Sequence, residues 1–399
     1  MSRPQYKYIE LQLYNQNTNP SLSADFELSA IFDLIDDSSL YDLSIIRFSV
    51  DTTTIPLMIV PILTGQTNPN ATVYTFTLQQ GANIVTKRVI WTPEFIDEPT
   101  PGSPFTKQDV GSAYYYLMNV QHLIDLFNLA IQEAHDDLPV VAGRQAPFFR
   151  INPGTQQIEL IAQSDYYDNM TDPPPADLTL LYCNQEASSL LQYFTPIAIR
   201  DLATTDQYFC FQINNLNSFN VFPPPVGASD IVPPASQPSI IAGSYYIMTQ
   251  TKTSLACFNT LSAIQINANK GIPAQLQTTT PGVDYGVEVT TNTVTEEDDQ
   301  PILTNFIVDP DVRLASSSGR LVYNPQGEFR LLSLNQAKHI RSLGFQMLWV
   351  DVYGNSRVIK LQRNTSASVL MMFKPRELML YDAERIARDC LVQLRTFRV

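Results

Sequence analysis

Residues 343–373 read LGFQMLWVDVYGNSRVIKLQRNTSASVLMMF and carry the clearest fold signal in the chain. Two apolar runs, 344–361 and 368–373, make up most of this stretch, and the pair Gly354-Asn355 interrupts the first. Gly and Asn tolerate the backbone conformations of tight turns, so the pattern indicates neighbouring β-strands. The preceding stretch 321–334, LVYNPQGEFRLLSL, repeats it around Asn324-Pro325-Gln326-Gly327. These segments predict a cluster of β-strands near the C-terminus.

Short β segments also fill most of the chain before this cluster. Ile9, Leu11 and Leu13 alternate with polar residues, which predicts a half-buried first strand. Residues 41–50, YDLSIIRFSV, are apolar on both faces in the middle and are expected at the centre of a sheet. Two hairpins are predicted, one from 74–78 and 87–91, the other from 148–162 around a Pro-Gly turn. The residues alone therefore predict an all-β sandwich.

One long segment departs from the β pattern. Its apolar residues recur with the spacing of one helix face, which predicts a helix from near Ser112 or Tyr116 to Asp136. The residues of this face are Val120, Leu123, Ile124, Phe127, Ile131 and Ala134. Prolines 173–175 and the six prolines of 223–238 interrupt regular structure after it. We therefore predict a β domain from residues 1–107 and 221–375, with an insertion domain at 108–220.

The C-terminal residues 376–399 form a third predicted region, a helical tail. Ile386, Cys390, Leu391 and Leu394 share one helix face. This apolar stripe is flanked by arginines, and the segment predicts a helix that docks on its own subunit, on a neighbouring subunit or on another protein. The candidate tail residues are Arg385, Ile386, Arg388, Cys390, Leu391, Leu394 and Arg395. The short polar stretch before Tyr6 is a second candidate tether.

Charge and composition narrow the possible functions. The 399 residues include 25 Lys and Arg against 39 Asp and Glu, a net charge of −14 at pH 7. This acidic excess excludes strong nucleic-acid binding, because nucleic-acid-binding surfaces neutralise phosphates with clustered Lys and Arg side chains. Charged residues make up 16% of the chain and hydrophobic residues 44%, which predicts that much of the surface is buried against other subunits. The sequence predicts neither a signal peptide nor a membrane span, so we expect folding in a reducing, soluble compartment.

The cysteine, histidine and acidic residues of the chain do not form a recognisable catalytic or metal-binding set. Four widely spaced cysteines are expected as small buried residues, and His122, His135 and His339 as packed or solvated side chains. His135-Asp136-Asp137 and the acidic run 296–299 could each bind a metal ion, but neither has the spacing of a known site. Glycine-rich phosphate loops are missing from the sequence. We therefore predict a protein without enzymatic activity or cofactor.

The stretch 343–373 resembles the closing strands of a viral capsid jelly roll, with Trp349-x-Asp351, a turn at Tyr353-Gly354-Asn355 and a final strand ending in Phe373. Three other stretches resemble the same family in the same order: YDLSIIRFSVDTTTIPLMIVPI, AYYYLMNVQHLIDLFNLAI, and PILTNFIVDP followed by GRLVYNPQGEFRLLSL. The family is that of the penton, or vertex minor capsid, proteins of small double-stranded DNA viruses of the polinton-like, adintovirus and virophage kind. The adenovirus penton base is a distant relative, but the chain has no Arg-Gly-Asp, so integrin binding is not implied.

The resemblance implies a jelly-roll β-sandwich with a helix-containing insertion domain and a short C-terminal helix. It also implies a homopentamer at each icosahedral vertex of a virion assembled inside the host cell, in contact with the neighbouring major capsid protein. Two alternatives stay open: a host-attachment spike or fibre head, and a carbohydrate-active β-sandwich enzyme using facing carboxylates such as Asp351 and Glu328.

Overall fold

The computed structural model describes most of the chain outside its longest loops and its ends. The described residues are 5–16, 22–94, 101, 113–139, 144–168, 178–194, 197–201, 207–214, 220–222, 245–270, 278–279, 300–308, 319–323, 331–334, 339–354 and 356–376. The predicted tail beyond Arg376, the acidic run 296–299 and the prolines of 223–238 lie outside them.

Strands predominate among the described residues, with two α-helices. The helices are α1 Val120–Asp136 and α2 Gln185–Leu190. The strands are β1 Lys7–Tyr14, β2 Leu22–Ser23, β3 Asp25–Ser29, β4 Tyr41–Asp51, β5 Met58–Ile59, β6 Ala71–Gln80, β7 Asn83–Ile90, β8 Tyr116–Leu117, β9 Phe148–Ile151, β10 Ile158–Gln163, β11 Tyr167–Asp168, β12 Thr179–Asn184, β13 Ile197–Asp201, β14 Gln207–Phe211, β15 Ile213–Asn214, β16 Asn220–Phe222, β17 Tyr245–Thr249, β18 Leu261–Lys270, β19 Thr278–Thr279, β20 Gln300–Ile307, β21 Arg320–Tyr323, β22 Leu332–Ser333, β23 Ser342–Asp351, β24 Ser356–Val358, β25 Lys360–Leu361 and β26 Ser366–Pro375.

The chain divides into two compact units. The first unit comprises residues 1–55 and 261–399, and the second comprises residues 56–260. The second unit reaches further in both directions than the predicted insertion at 108–220. The reason is strand pairing: β6 hydrogen-bonds to β7 and β12, which joins residues 71–90 to the insertion, and β10 hydrogen-bonds to β17, which joins residues 245–249 to it.

The first unit is a sandwich of two antiparallel sheets. One sheet has the order β1-β26-β4-β21, with β22 also paired to β4. The other has the order β19-β20-β18-β23-β24, with β3 also paired to β23. The inner faces meet at Phe48 of the first sheet and Phe306 of the second, whose ring centroids are 4.9 Å apart. The strand β4 lies between two neighbours, as its apolar pattern predicts.

The second unit packs helix α1 against strands of two sheets, which have the orders β13-β14-β12-β6-β7 and β16-β17-β10-β9. The inner face of the helix is fully buried, as predicted: Leu123, Ile124, Phe127 and Ile131 have no exposed surface. The Phe127 ring contacts the aromatic rings of Tyr74 and Phe76 at centroid distances of 5.5 and 5.1 Å. Both predicted hairpins are confirmed as β6–β7 and β9–β10.

Helix α1 begins at Val120, later than either predicted start, Ser112 or Tyr116. Two local interactions explain the difference. Tyr116–Leu117 form strand β8, which pairs with Met58–Ile59 and cannot also be helical. The Asn119 side chain then caps the helix by accepting a hydrogen bond from the Gln121 backbone N–H at 2.9 Å.

Candidate assembly surfaces

The histidines predicted as packed or solvated side chains have structural partners. His122 Nε2 lies 2.6 Å from the carbonyl oxygen of Thr92, and its ring meets Trp91 edge-on. His135 is buried near the end of α1, with Nδ1 3.6 Å from a carboxylate oxygen of Asp136. The next carboxylate of the proposed metal triplet, Asp137, forms an ion pair with Lys87 at 2.5 Å. A lysine ammonium at this distance takes the place that a metal ion would need.

Asp33, Asp36 and His339 are the one group of potential metal ligands within 4.8 Å of one another among the described residues. Their geometry does not suit a cation, because Arg341 Nε contacts the Asp33 carboxylate at 2.5 Å and His339 Nδ1 contacts it at 3.1 Å. The hydrogen bond from Arg341 holds the pKa of the Asp33 carboxyl below its usual range. The cluster therefore anchors a loop.

Residues 30–34 form this loop, which we call the Ile31–Phe32 loop. It exposes two apolar side chains to solvent. Ile31 is fully exposed and Phe32 is 71% exposed. Backbone hydrogen bonds hold both ends, from Ala30 N–H to the Arg341 carbonyl at 2.9 Å and from Leu34 N–H to the Ile340 carbonyl at 2.8 Å. Lys7 Nζ also donates to the Leu34 carbonyl at 2.8 Å. The loop is thus fixed at its base while its two largest apolar side chains lie free of contacts that would bury them.

The two lateral edges of the first sheet of the sandwich expose further apolar residues. Strand β1 forms one edge and exposes Tyr8 and Tyr14. Strand β21 forms the opposite edge and exposes Val322 at 56%. Strand β20 of the second sheet lies beside β21, since the rings of Phe306 and Tyr323 are 4.1 Å apart, and it exposes Ile307 at 86%.

The outer face of the first sheet also carries polar pairs. Arg47 of β4 forms an ion pair with Glu10 of β1 at 2.7 Å, and the Ser49 and Ser368 hydroxyls are hydrogen-bonded at 3.0 Å. Exposed apolar side chains are therefore concentrated at the edges. Contiguous exposed apolar surface on a soluble protein commonly marks an interaction site.

Arg376 is the last described residue before the predicted tail. Its Nε donates to the Asp42 carboxylate and its Nη2 to the Leu334 carbonyl, both at 3.1 Å. The predicted tail residues from Arg385 to Arg395 all lie beyond it and outside the described residues. Arg376 therefore marks the position on the first unit from which the predicted tail continues.

The remaining candidates for chemistry are held by structural interactions or lie outside the described residues. Cys183 and Cys210 are buried and Cys257 is half-buried, none of the three forms a disulfide, and burial raises the pKa of Cys183 well above its usual range. Asp351 pairs with Arg357 at 3.0 Å and caps the turn at Tyr353, whereas Glu328 is not among the described residues. Within the described parts of the chain, none of the helices is long and apolar enough to span a membrane.

Sequence reasoning missed the exposed apolar residues of the first unit. Ile31 and Phe32 directly precede Asp33 and do not belong to an alternating strand pattern. An apolar pair in this setting weakly indicates a surface position, so the sequence did contain a signal for these two residues. Ile307 and Val322 carry no such signal, because each is one apolar residue in an ordinary strand. Their exposure depends on which strands form the edges, and sequence pattern does not give strand order.

Comparison with known proteins adds the family to these observations. Residues 7–375 match the family described as Sputnik minor capsid protein V18/19. The chain is 26% identical over 153 residues to the uncharacterized protein V18 of Sputnik virophage, which covers 37% of this chain and 92% of that relative.

Two solved structures are similar over nearly the whole chain. A chain in the 3.5 Å cryo-EM structure of the Sputnik virophage has a TM-score of 0.67 at 22% identity, covering 94% of this chain and 99% of that one. The crystal structure of the mavirus penton protein has a TM-score of 0.53 at 11% identity, covering 93% and 100%. The shared fold confirms the predicted all-β jelly-roll class. By its match over residues 7–375, the chain belongs to the Sputnik minor capsid protein V18/19 family, whose members are structural components of the virion and not enzymes.

Proposed function

We propose that the protein forms the homopentameric penton at the icosahedral vertices of a virophage-type capsid. The observation that carries this proposal is the pair of apolar edges on opposite sides of the sandwich in the first unit. Closed rings with more than two subunits use head-to-tail contacts, which need two different surfaces on each subunit. The β1 edge and the β20–β21 edge are two such surfaces, and the structurally similar mavirus protein is itself named a penton.

The chemistry of the two edges is complementary. The β1 edge offers the aromatic rings of Tyr8 and Tyr14, and the β20–β21 edge offers two aliphatic side chains, Val322 on the outer face of the first sheet and Ile307 on that of the second. Aromatic and aliphatic groups pack well at subunit interfaces, and stable interfaces of this kind bury upwards of about 1,200 Å². The polar centre of the outer face, with Arg47 and Glu10, is suited to solvent or to weaker contacts with a neighbouring major capsid protein.

Native mass spectrometry with negative-stain imaging of the purified protein tests this function. We expect pentamers with five-fold averages. Trimers would favour an attachment spike or fibre head, and a protein that stays monomeric at high concentration would contradict the proposal outright.

The edges themselves are tested by the double variant Ile307→Asp/Val322→Asp. Two carboxylates at a desolvated contact should convert pentamers to monomers, because burying unpaired charge is costly. Ile84→Asp is the matched control, since Ile84 is an exposed strand residue of the second unit. If the control and the double variant assemble alike, the β20–β21 edge is not the contact.

We further propose that the predicted tail, residues 376–399, contributes to assembly by docking on the capsid protein body. Deletion of these residues should leave the strand content unchanged by circular dichroism and weaken pentamer formation or capsid incorporation. Unchanged assembly of the truncated protein would remove the tail from this role.

A further inference from the structure

We propose that the Ile31–Phe32 loop is the docking site of the C-terminal tail of the same subunit. This inference rests on the proposed function and adds the surface on which the tail would dock. It joins an uncovered apolar loop to an apolar segment of the same chain that needs a partner.

The C-terminal tail begins near the Ile31–Phe32 loop. Strand β26 ends at Pro375, and its pairing with β1 places Phe373 opposite Lys7. Lys7 in turn donates to the carbonyl of Leu34, at the base of the loop. The tail therefore begins at the end of the sandwich that carries the loop, where Arg376 is held by Asp42.

The first unit has a second exposed apolar turn, at Tyr353, and the tail is less able to reach it. Tyr353 follows the far end of β23, and the Ile31–Phe32 loop is bonded beside its beginning, at Ile340 and Arg341. A ten-residue strand spans roughly 33 Å at about 3.3 Å per residue. If residues 377–390 are helical as predicted, they span only about 21 Å at 1.5 Å per residue. The tail can thus reach the loop more readily than the turn.

The surface chemistry of the Ile31–Phe32 loop also suits the C-terminal tail. Ile31 and Phe32 are exposed side by side on a fixed loop, and Asp36 is also exposed four residues after Phe32. The predicted tail stripe of Ile386, Cys390, Leu391 and Leu394 is apolar, and residues 385–399 carry four arginines against one aspartate. An amphipathic basic segment therefore matches an apolar loop with acidic residues after it.

Three cations near the loop are already engaged by other groups of the first unit. Arg341 is bound to Asp33, Arg376 to Asp42, and Lys7 to the Leu34 carbonyl. Asp36 and Asp37 follow Asp33 without a lysine or arginine between residues 31 and 40. A short isolated helix is also marginal in water, so the tail gains stability from docking.

Site-directed cross-linking through the native Cys390 tests the inference in the full-length protein. The test variant is Ile31→Cys in a Cys257→Ser background, treated with a short bismaleimide. Cys183 and Cys210 are buried and should not react. The matched control is Tyr353→Cys in the same background, because Tyr353 is 80% exposed at the far end of β23.

We expect an intrachain link between positions 31 and 390, formed at least about tenfold faster than any link from position 353, since docking raises the effective concentration of the two thiols. Denaturing electrophoresis and peptide mass spectrometry identify the link, and Cys390→Ser should abolish it. Equal rates for the two positions, or no link to position 31, would overturn the inference. A link between two chains would assign the loop to a neighbouring subunit's tail and overturn docking within one subunit.

Native mass spectrometry of the same samples keeps the two proposals separate. Pentamers without the link contradict tail docking at this loop alone. The link without pentamers contradicts the proposed ring alone. Ile31 is fully exposed, so its substitution should not prevent folding, and the thermal midpoint of the variant verifies this.

Discussion

The two units of the chain differ in how completely they bury their apolar residues. Among the described residues, ten of the thirteen exposed large hydrophobic side chains belong to the first unit, although the second has more described residues. The second unit has helix α1 to close its core, with the rings of Phe127, Phe76 and Phe149 packed together. The first unit has two sheets, and among its described residues strands β1, β20 and β21 expose the apolar side chains Tyr8, Tyr14, Ile307 and Val322.

This difference indicates separate physical constraints on the two units. A core that is complete within one chain depends on its own packing, so its substitutions change folding stability. An apolar edge that is uncovered in one chain contributes little to folding and much to association. Substitutions in the core of the second unit should therefore change folding stability, and substitutions at the exposed edges of the first unit should change association.

Phe127→Ala should produce the largest loss. Phe127 is fully buried between the rings of Tyr74 and Phe76, and removing such a ring costs roughly 3–5 kcal/mol in lost burial and a residual cavity. Urea unfolding followed by circular dichroism measures the change. Leu129→Ala on the exposed side of the same helix is the control and should change stability by less than about 1 kcal/mol. Equal losses would mean that the second unit does not depend on this core.

Asn128→Ala should cost less, about 2 to 4 kcal/mol. The Asn128 side chain satisfies both backbone groups of Phe149 at the edge of β9, donating to the carbonyl at 2.8 Å and accepting from the N–H at 2.7 Å. Each buried backbone group left without a partner costs roughly 1–3 kcal/mol. Gln132→Ala, on the solvent side of α1, is the control in the same urea titration. A loss no larger than the control's would show that water replaces the amide.

Glu94→Gln should change the pH dependence of stability. Burial raises the pKa of the Glu94 carboxyl above its usual value of 4.5, against hydrogen bonds from the backbone N–H groups of Asn119 and Met118. As pH rises from 4.5 through the raised pKa, the unfolded chain loses its proton first, so the carboxyl makes folding less favourable and then levels off. The glutamine does not titrate and still accepts both hydrogen bonds.

Thermal midpoints of the wild-type protein and Glu94→Gln between pH 4 and 8 measure this effect. The difference should grow in favour of the variant as pH rises. Glu94→Ala loses both hydrogen bonds to the start of α1 and should be less stable at every pH. Parallel curves for wild type and Glu94→Gln would contradict the role of burial.

Local patterns in the sequence predicted much of the fold. Alternation identified β1 and the first hairpin, an apolar run identified the central strand β4, and turn residues identified the second hairpin. The 3.6-residue period identified the buried face of α1. The family predicted from residues 343–373, the vertex minor capsid proteins of the virophage kind, is confirmed.

Features that depend on distant pairing were not predictable. Strand β26 lies between β1 and β4, and its partner in β1 is more than 350 residues away at Lys7 and Phe373. The second unit extends beyond the predicted insertion in both directions because β6 pairs with β12 and β17 pairs with β10, and no local pattern encodes these pairings. The same limit applies to Ile307 and Val322, whose exposure follows from the strand order.

The smallest effect on folding should come from Ile307→Ser and Ile84→Ser, which compare the two units directly. Both isoleucines are exposed on strands, at 86% and 51%, so each substitution should change the stability of the monomer by about 0.5 kcal/mol or less. The two variants should separate once concentration is varied. Association stabilises the folded protein by mass action, so the thermal midpoint of the wild type should rise with protein concentration. Ile307→Ser should weaken this dependence because it removes apolar contact at the β20–β21 edge, whereas Ile84→Ser should retain it. Identical concentration dependence in the two variants would show that exposed apolar residues of the first unit have no special part in assembly, and the contrast between the units would then reflect core completeness alone.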